Sequence, residues 1–253
     1  MPRKARLKSK SGIYHVMVRG INRQNIFEDQ EDYIKFIQVL QKYKEKSGFN
    51  IFAYCLMSNH VHLLLKTGLE PLEQVMRRIC GSYVYWYNLK YQRIGNLFQD
   101  RFRSEPVEND AYFLTAQRYI HQNPLKAGLA GSIEQYKWSS YNDYVNKTKL
   151  IDAGFLLEFF NADIKKAVKG FIEYVNEVNN DACLDLEEKY RIADDEAREI
   201  IKNICQVQNT TDLQNIDILK RNKYLKRLKE EKKLSIRQIE RLTGINRGAI
   251  LRS

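Results

Sequence analysis

The sequence predicts an α+β fold, in which an antiparallel sheet with its helices is followed by a purely helical tail. Strand and helix patterns alternate up to about residue 125, in the order strand, helix, two strands, helix, strand, helix. From residue 155 onward no strand pattern occurs, and the last block reads as a Lys-rich helix followed by two short helices. We therefore expect three parts, at residues 1–150, 151–217 and 218–253.

The first half of the sheet is predicted from alternation and from apolar runs. Residues 12–20, GIYHVMVRG, alternate with the period of two that is typical of a strand. The stretch that ends at Gly48 has its apolar residues at helical spacing, which predicts a helix. FNIFAYCLMS and HVHLLLKT are two apolar runs joined by Ser58-Asn59, and they predict a hairpin.

The second half supplies a helix, a strand and another helix. EPLEQVMRRICGSYVYWYNLKYQ predicts a helix that starts near Pro71, and NLFQDRFRSEPVE predicts a fourth strand closed off by Pro106. The next helix begins at the N-cap candidate Asn109, and we expect Pro124 to interrupt it. This order of elements is the split βαβ, ferredoxin-like arrangement, with the helices expected on one face of the sheet.

The C-terminal block predicts a helix-turn-helix. Ser235 can cap the helix IRQIERL, Thr243-Gly244 supplies the turn, and Asn246 and Arg247 open a second helix. Together with Arg237 on the first of these helices, they are the candidate DNA contacts of this unit. One departure is Glu240, four residues before the turn glycine, where such units usually hold a small residue. A plain helical hairpin is the alternative.

The charge of the chain is concentrated at its two ends. The 253 residues carry a net charge of +11, with a pI of about 9.3. No acid appears before Glu28, and Lys and Arg dominate again after residue 220, while residues 161–217 are acidic. Basic ends around a structured middle indicate a polyanion partner. The plainer interpretation is that many soluble proteins are mildly basic.

Cysteine spacing and hydrophobicity indicate the cellular compartment in which the protein is expected. Cys55, Cys80, Cys183 and Cys205 are widely spaced and form no CxxC pair, so neither a disulfide framework nor a zinc knuckle is indicated. There is no apolar stretch of about 18 residues, the length that a membrane span requires. The basic N-terminus is not followed by an apolar signal core. We expect a cytoplasmic protein with reduced thiols and no membrane partner.

The stretch MSNHVHLLLKT, residues 57–67, carries the first chemical signal. His60 and His62 are two residues apart in a predicted strand, so their side chains project from the same face. Two imidazoles on one rigid strand form half of a metal site, since histidine is the commonest metal ligand. The alternative is that each imidazole only hydrogen-bonds inside the core.

YCLMSNHVHLLLKT resembles the histidine–hydrophobe–histidine (HUH) motif of single-strand DNA nucleases. The blocks YHVMVRGINRQNIF, YCLMSNHVHLLLK, LFQDRFRSEPVE, YIHQNPLKAGL and WSSY come in the order found in REP-associated tyrosine transposases. Most of residues 12–144 therefore resembles that family, within the HUH single-tyrosine transposase superfamily. The resemblance implies an enzyme that cuts and rejoins single-stranded DNA.

The resemblance also implies roles for particular residues. Tyr119, in RYIHQNP, matches the tyrosine that attacks a phosphodiester, forms a 5′-phosphotyrosine and frees a 3′-OH. His60 and His62 match the residues that hold Mg²⁺ or Mn²⁺. Relatives often place a Gln four residues after the tyrosine as a third ligand, and Asn123 stands there in this chain, as a ligand or as a helix cap. His121 is a further candidate, although two residues from Tyr119 it should face elsewhere. His15, in the first strand, is expected to be structural.

The expected partner is a single-stranded DNA hairpin of the repetitive palindromic kind. Arginines next to aromatic residues suit single strands, and basic tails add salt-dependent affinity, so we expect the N-terminal tail to be mobile and to contact DNA. The candidate contacts in this part of the chain are Arg3, Lys4, Arg6, Arg19, Arg23, Arg101 and Arg103. The C-terminal unit would suit duplex DNA, and the chain is expected to be a monomer or a homodimer.

Three other functions stay open on the sequence. A non-catalytic DNA-binding regulator would use the helix-turn-helix and keep the HUH fold as a relic. An HUH replication initiator or relaxase-type nickase would share the chemistry, but usually carries a helicase domain or additional catalytic tyrosines. A metal-dependent phosphodiesterase that uses water would cut DNA without a covalent protein–DNA species.

Overall fold

The computed structural model describes residues 6–146, 150–181, 183–184, 194–230 and 234–253. The predicted DNA contacts Arg3 and Lys4 lie outside these residues. The chain divides into two compact units, Met1–Asp185 and Leu186–Ser253, each with its own hydrophobic core. Among the described residues, no helix combines the length and the apolar composition that a membrane crossing requires.

The first unit is built on a four-stranded antiparallel sheet. Its strands are β1 (Ile13–Arg19), β2 (Asn50–Met57), β3 (His60–Lys66) and β4 (Arg103–Pro106). They pair in the order β2-β3-β1-β4, and a bulge between Ile51 and Ala53 interrupts the β2–β3 ladder. This is the predicted ferredoxin-like α+β arrangement, with the hairpin turn at Ser58-Asn59.

The helices of the first unit begin and end where local signals place them. They are α1 (Gln30–Ser47), α2 (Leu72–Lys90), α3 (Asp110–Lys126), α4 (Tyr141–Asn146), α5 (Ala153–Leu157) and α6 (Ile164–Asn176), with a 3₁₀ turn at Ile21–Arg23. Asp29 caps α1 through its side chain, and Gly48 ends that helix in the left-handed conformation. Asn109 caps α3 as predicted, its side chain accepting a hydrogen bond from the Tyr112 amide.

The expectation that helices cover one face of the sheet is wrong, because both faces are buried. His15 and His62 on one face and Val16 and Leu63 on the other are each at most 1% exposed. Strand–helix–strand crossovers are right-handed, so α1 and α2 share one face. The third helix, α3, covers the other face, where its Tyr119 contacts the histidines.

Pro124 does not stop α3, contrary to the prediction. The helix continues to Lys126, and the carbonyl of Pro124 accepts the amide of Leu129. A proline inside a helix costs about 3 kcal/mol. Next to this proline the helix is bonded to a distant part of the chain, since the Gln122 side chain donates to the carbonyls of Val175 in α6 and of Glu177 just after it.

Other segments of the chain contact the two outer strands of the sheet or the residues that flank them. Along β2, the amide of Leu56 donates to the Trp138 carbonyl, and Asp152 bonds Ile51 through its side chain and its amide. Next to β4, the tail contacts the residues on either side of the strand, since Arg6 donates to the Phe102 carbonyl and Ser11 donates to the Val107 carbonyl. The bonds along β2 occupy backbone groups of that strand that an exposed edge strand would offer to another strand.

The second unit is a small helical bundle. It contains α7 (Asp194–Cys205), a 3₁₀ turn (Thr210–Asn215), α8 (Ile218–Glu230), α9 (Ile236–Thr243) and α10 (Arg247–Arg252). The acidic stretch at residues 151–217 is therefore not one segment. Helices α5 and α6 pack in the first unit, whereas Asp194 on α7 is bound by Gln238 and Arg241 of α9 in the second unit.

Candidate active site

Strand pairing places both histidines of the HxH motif on the face of the sheet that α3 covers. Antiparallel pairing sets His62 opposite Met17 and His60 opposite Arg19, and their ring centroids are 5.1 Å apart. His62 is fully buried, whereas His60, at the start of β3, is partly exposed. The site therefore opens towards solvent at its His60 end.

A third histidine, His15, joins this pair from β1. Its Nε2 lies 3.0 Å from Nδ1 of His62, and both rings are fully buried. The prediction that His15 is only structural missed this contact. The alternation of β1 shows which face His15 lies on, but not which residue it meets. The contact depends on the β1–β3 register, which pairs His15 with Leu64, two residues beyond His62.

Tyr119 extends from α3 onto the histidines. Its ring centroid is 5.9 Å from that of His62 and 6.0 Å from that of His15, with edge-on geometry in both cases. The Nζ of Lys126, two turns further along α3, lies 5.4 Å from the Tyr119 ring. The structure thus brings together His60, His62 and Tyr119, which are distant in sequence.

Asn123 lies one turn after Tyr119 on the same helix face. Its Nδ2 donates to the Tyr119 carbonyl at 3.0 Å, and the residue is 9% exposed. With Nδ2 engaged in this way, Oδ1 is the atom that a metal ion would take. His121, by contrast, lies in the core, where its Nε2 is 2.8 Å from the Ser140 hydroxyl.

The donor atoms fit a divalent ion. Nε2 of His62 is buried and makes no hydrogen bond with any residue that the structure describes. Nδ1 of His60 lies 2.6 Å from Oδ1 of Asn59, so Nε2 is the ligand atom on that ring as well. Within the described residues, no three His, Cys, Asp or Glu side chains form a metal cluster, which leaves Asn123, water or substrate for the other positions.

The electrostatics keep His62 neutral. Burial lowers the pKa of His62 well below its ordinary value, and the neighbouring His15 and His60 lower it further. A neutral imidazole retains the lone pair that binds a metal ion. A neutral His62 can therefore serve as a metal ligand but not as a cation that binds phosphate.

The predicted arginines of the first unit gather at the end of the sheet where β3 begins with His60. Arg6 stacks on Phe102 at 3.7 Å and donates to its carbonyl. Arg23 ends the 3₁₀ turn and has a positive φ. Three residues later, the amide of Ile26 donates to the Ser58 carbonyl. The others in this group are Arg19, at the end of β1, Arg101, just before β4, and Arg103, at the start of β4.

In the second unit, the structure gives a role to Glu240, which stands where helix-turn-helix units usually hold a small residue. Glu240 accepts a hydrogen bond from the backbone amide of Arg247, so it caps the start of α10. Asn246 caps the same helix through its side chain, which accepts from the amide of Gly248. The side chains of Arg237 and Arg247 are exposed.

Comparison with known proteins shows which family the first unit resembles. Residues 8–123 match the family model of IS200-like transposases. This stretch is similar to an IS200-like transposase domain. It includes the strands β1 to β4 and, at its end, Tyr119 and Asn123 of α3.

One solved structure supports the fold of the first unit. A REP-associated tyrosine transposase bound to a REP hairpin is 21% identical with a TM-score of 0.52, and the match covers 61% of this chain and 92% of that one. A proposed transposase from Deinococcus radiodurans R1 is 20% identical, with 48% and 97% coverage, but its TM-score of 0.35 is too low to support an argument. No curated protein matches the chain significantly.

Proposed function

We propose that this transposase-like protein is a metal-dependent enzyme that cleaves and rejoins single-stranded hairpin DNA through a covalent bond to Tyr119. The observation that carries the proposal is the edge contact between the Tyr119 ring and the His62 ring, at 5.9 Å between centroids. This contact supports the proposal because a tyrosine that acts as a nucleophile next to imidazoles that hold a metal ion could transfer a phosphodiester.

In the proposed step, Oη of Tyr119 attacks the scissile phosphorus. The bond from phosphorus to the tyrosine oxygen forms as the bond to the 3′ oxygen breaks, the phenol proton is lost, and the 3′ oxygen is released as a hydroxyl. The downstream strand stays bound to Tyr119 through its 5′ phosphate. The energy of the phosphodiester is conserved, so a 3′-OH can later displace Tyr119 and rejoin the strands without a nucleotide cofactor.

The surrounding residues supply position and charge. His60, His62 and Asn123 would hold Mg²⁺ or Mn²⁺, which would draw negative charge from the phosphate. The burial of Tyr119, which is 5% exposed, excludes bulk water from the nucleophile. The arginines at the His60 end of the sheet would neutralise the backbone of the incoming strand.

The substrate proposal rests on two supports. The arginine group lies beside the open end of the site, and the REP-associated transposase of similar fold is bound to a hairpin. Duplex DNA is proposed as a second partner, bound through the exposed Arg237 and Arg247 of the C-terminal unit. Replacing both arginines by alanine should weaken duplex binding and reduce its dependence on salt, while leaving hairpin cleavage unchanged.

The test uses one hairpin oligonucleotide labelled at its 5′ end and another labelled at its 3′ end. Each is incubated with Mn²⁺, with or without EDTA, using the wild type and Tyr119→Phe. We expect a denaturation-resistant protein–DNA band from the 3′-labelled strand alone, absent with EDTA or with the variant. Cleavage without that band would instead identify a water-using nuclease. Tight binding without cleavage would identify a regulator.

A further inference from the structure

The buried contact between His15 and His62 has a consequence for the proposed metal site. The hydrogen bond joins Nε2 of His15 to Nδ1 of His62, and it holds one proton between two rings that are both fully buried. The direction of that proton decides which nitrogen of His62 keeps a lone pair.

Only one direction suits a metal ligand. For Nε2 of His62 to bind an ion, that atom must carry no proton, so a neutral His62 carries its proton on Nδ1. Nδ1 then donates, and Nε2 of His15 accepts. Nε2 of His62 makes no hydrogen bond with the described residues, so in this tautomer its lone pair is open to an ion.

The placement of His15 is more specific than packing needs. A buried position on a sheet face is usually filled by an aliphatic side chain at lower desolvation cost. The His15 ring instead contacts both functional groups of the site, with centroids 5.2 Å from His62 and 6.0 Å from Tyr119. Nε2 of His15 lies 3.0 Å from Nδ1 of His62, within hydrogen-bond distance.

We propose that His15 is a positioning residue that fixes His62 in the Nδ1–H tautomer and orients its Nε2 towards the metal ion. The inference rests on the proposed metal-dependent function and adds to it a residue that touches neither substrate nor ion. It acts as the hydrogen-bond acceptor behind a metal-binding histidine, where loss of the partner typically costs about 10- to 100-fold in metal affinity.

The variants separate the hydrogen bond from the volume of the side chain. His15→Met fills the site without an adequate acceptor. In His15→Gln the carboxamide oxygen can reach the place of Nε2, whereas in His15→Asn it is too short to do so. His121→Gln is the matched control, because His121 is equally buried in the same unit but is bonded to Ser140.

The first measurement is the dissociation constant for Mn²⁺ alone, from the loss of the free-ion EPR signal on titration with each full-length protein. We expect the affinity for Mn²⁺ to fall by about tenfold or more in His15→Met and His15→Asn. It should stay near the wild-type value in His15→Gln and be unchanged in His121→Gln. If His15→Met does not fold, as judged by circular dichroism, the comparison of Gln with Asn decides the question. Equal affinities of these two variants would overturn the inference.

The second measurement reads the tautomer directly. The chain has four histidines, so selective ¹⁵N-histidine labelling gives few ring signals. We expect the metal-free wild type to show His62 protonated at Nδ1, and an Nε2–H signal would overturn the inference. Wild-type protein that binds no Mn²⁺ would refute the metal-dependent function and the inference with it. Equal Mn²⁺ binding by wild type and a folded His15→Met would refute the inference alone.

Discussion

The outer face of α3 is clamped by the chain that follows α6, and Arg118 makes most of that contact. Its Nε and Nη2 donate to the two carboxylate oxygens of Asp181 at 2.7 and 3.2 Å, and Nη1 donates to Glu177 at 2.7 Å. The guanidinium also stacks on the Tyr174 ring at 4.4 Å. Arg118 precedes Tyr119, so this clamp holds the helix that presents the proposed nucleophile.

The change that tests the clamp is Arg118→Met, which keeps the aliphatic stem and removes the charge. The side chains of Arg118 and Asp181 are 13% and 14% exposed, so their bidentate pair contributes about 2 kcal/mol. The stacking on Tyr174 adds about 1 kcal/mol. Glu177 is 59% exposed and its contact adds little. We expect the free energy of unfolding of the first unit to fall by about 3 kcal/mol.

The assay is denaturant unfolding followed by tryptophan fluorescence. Both tryptophans, Trp86 and Trp138, lie in the first unit, so the signal is insensitive to the second. Lys169→Met is the matched control, because its ion pair with Glu173 on α6 is solvent-exposed, and it should cost less than about 0.5 kcal/mol.

A second readout is the rate of hairpin cleavage in a single turnover at saturating Mn²⁺. Loosening α3 should misplace the attacking oxygen and slow cleavage by about tenfold or more. If Arg118→Met lowers stability no more than Lys169→Met does, the clamp contributes nothing measurable and the reasoning is wrong. If stability falls but the rate is unchanged, the clamp supports the fold without positioning Tyr119.

Three further predictions concern other parts of the chain. Burial lowers the pKa of His121 to about 4, so the unfolded chain takes up a proton at higher pH than the folded one. Stability should therefore be complete above about pH 6.5 and fall by roughly 3 kcal/mol towards pH 4, and His121→Gln should flatten that slope in unfolding curves measured at several pH values. In the second unit, Gly244 has a φ of +72°, and a Cβ there would lie 2.2 Å from Gln214 Nε2. Gly244→Ala should cost about 1–2 kcal/mol and speed amide exchange in α9. If Asn123 is a ligand, Asn123→Leu should weaken Mn²⁺ binding by about tenfold or more, while Asn123→Gln should retain it.

Each of these predictions has an outcome that contradicts it. An identical pH slope in wild type and His121→Gln would show that His121 does not titrate between the two states. Unchanged exchange in α9 of Gly244→Ala would mean that the turn tolerates a side chain. Loss of stability without loss of Mn²⁺ affinity in Asn123→Leu would assign Asn123 to the helix alone, through its bond to the Tyr119 carbonyl.

The order of the elements could be predicted because their signals are local. The alternation in β1, the glycine after α1 and the cap at Asn109 each act within a few residues, so they can be recognised in the sequence alone. The same is true of His60 and His62, since a strand places alternate residues on one face. Tyr119 was assigned from the resemblance, because a helix pattern alone does not distinguish one of sixteen tyrosines.

Other features depended on contacts between distant parts of the chain. The register of β1 against β3 brings His15 onto His62, and α3 continues through Pro124 where Gln122 bonds the end of α6 and the residue after it. The acidic stretch looked uniform, yet α6 and α7 were divided between two cores by the apolar side chains that they bury. Local interactions between neighbours therefore determined the helices and strands of this protein. The assembly of its candidate active site and the boundary between its two units depend on burial and strand pairing across long sequence separations, which no local pattern encodes.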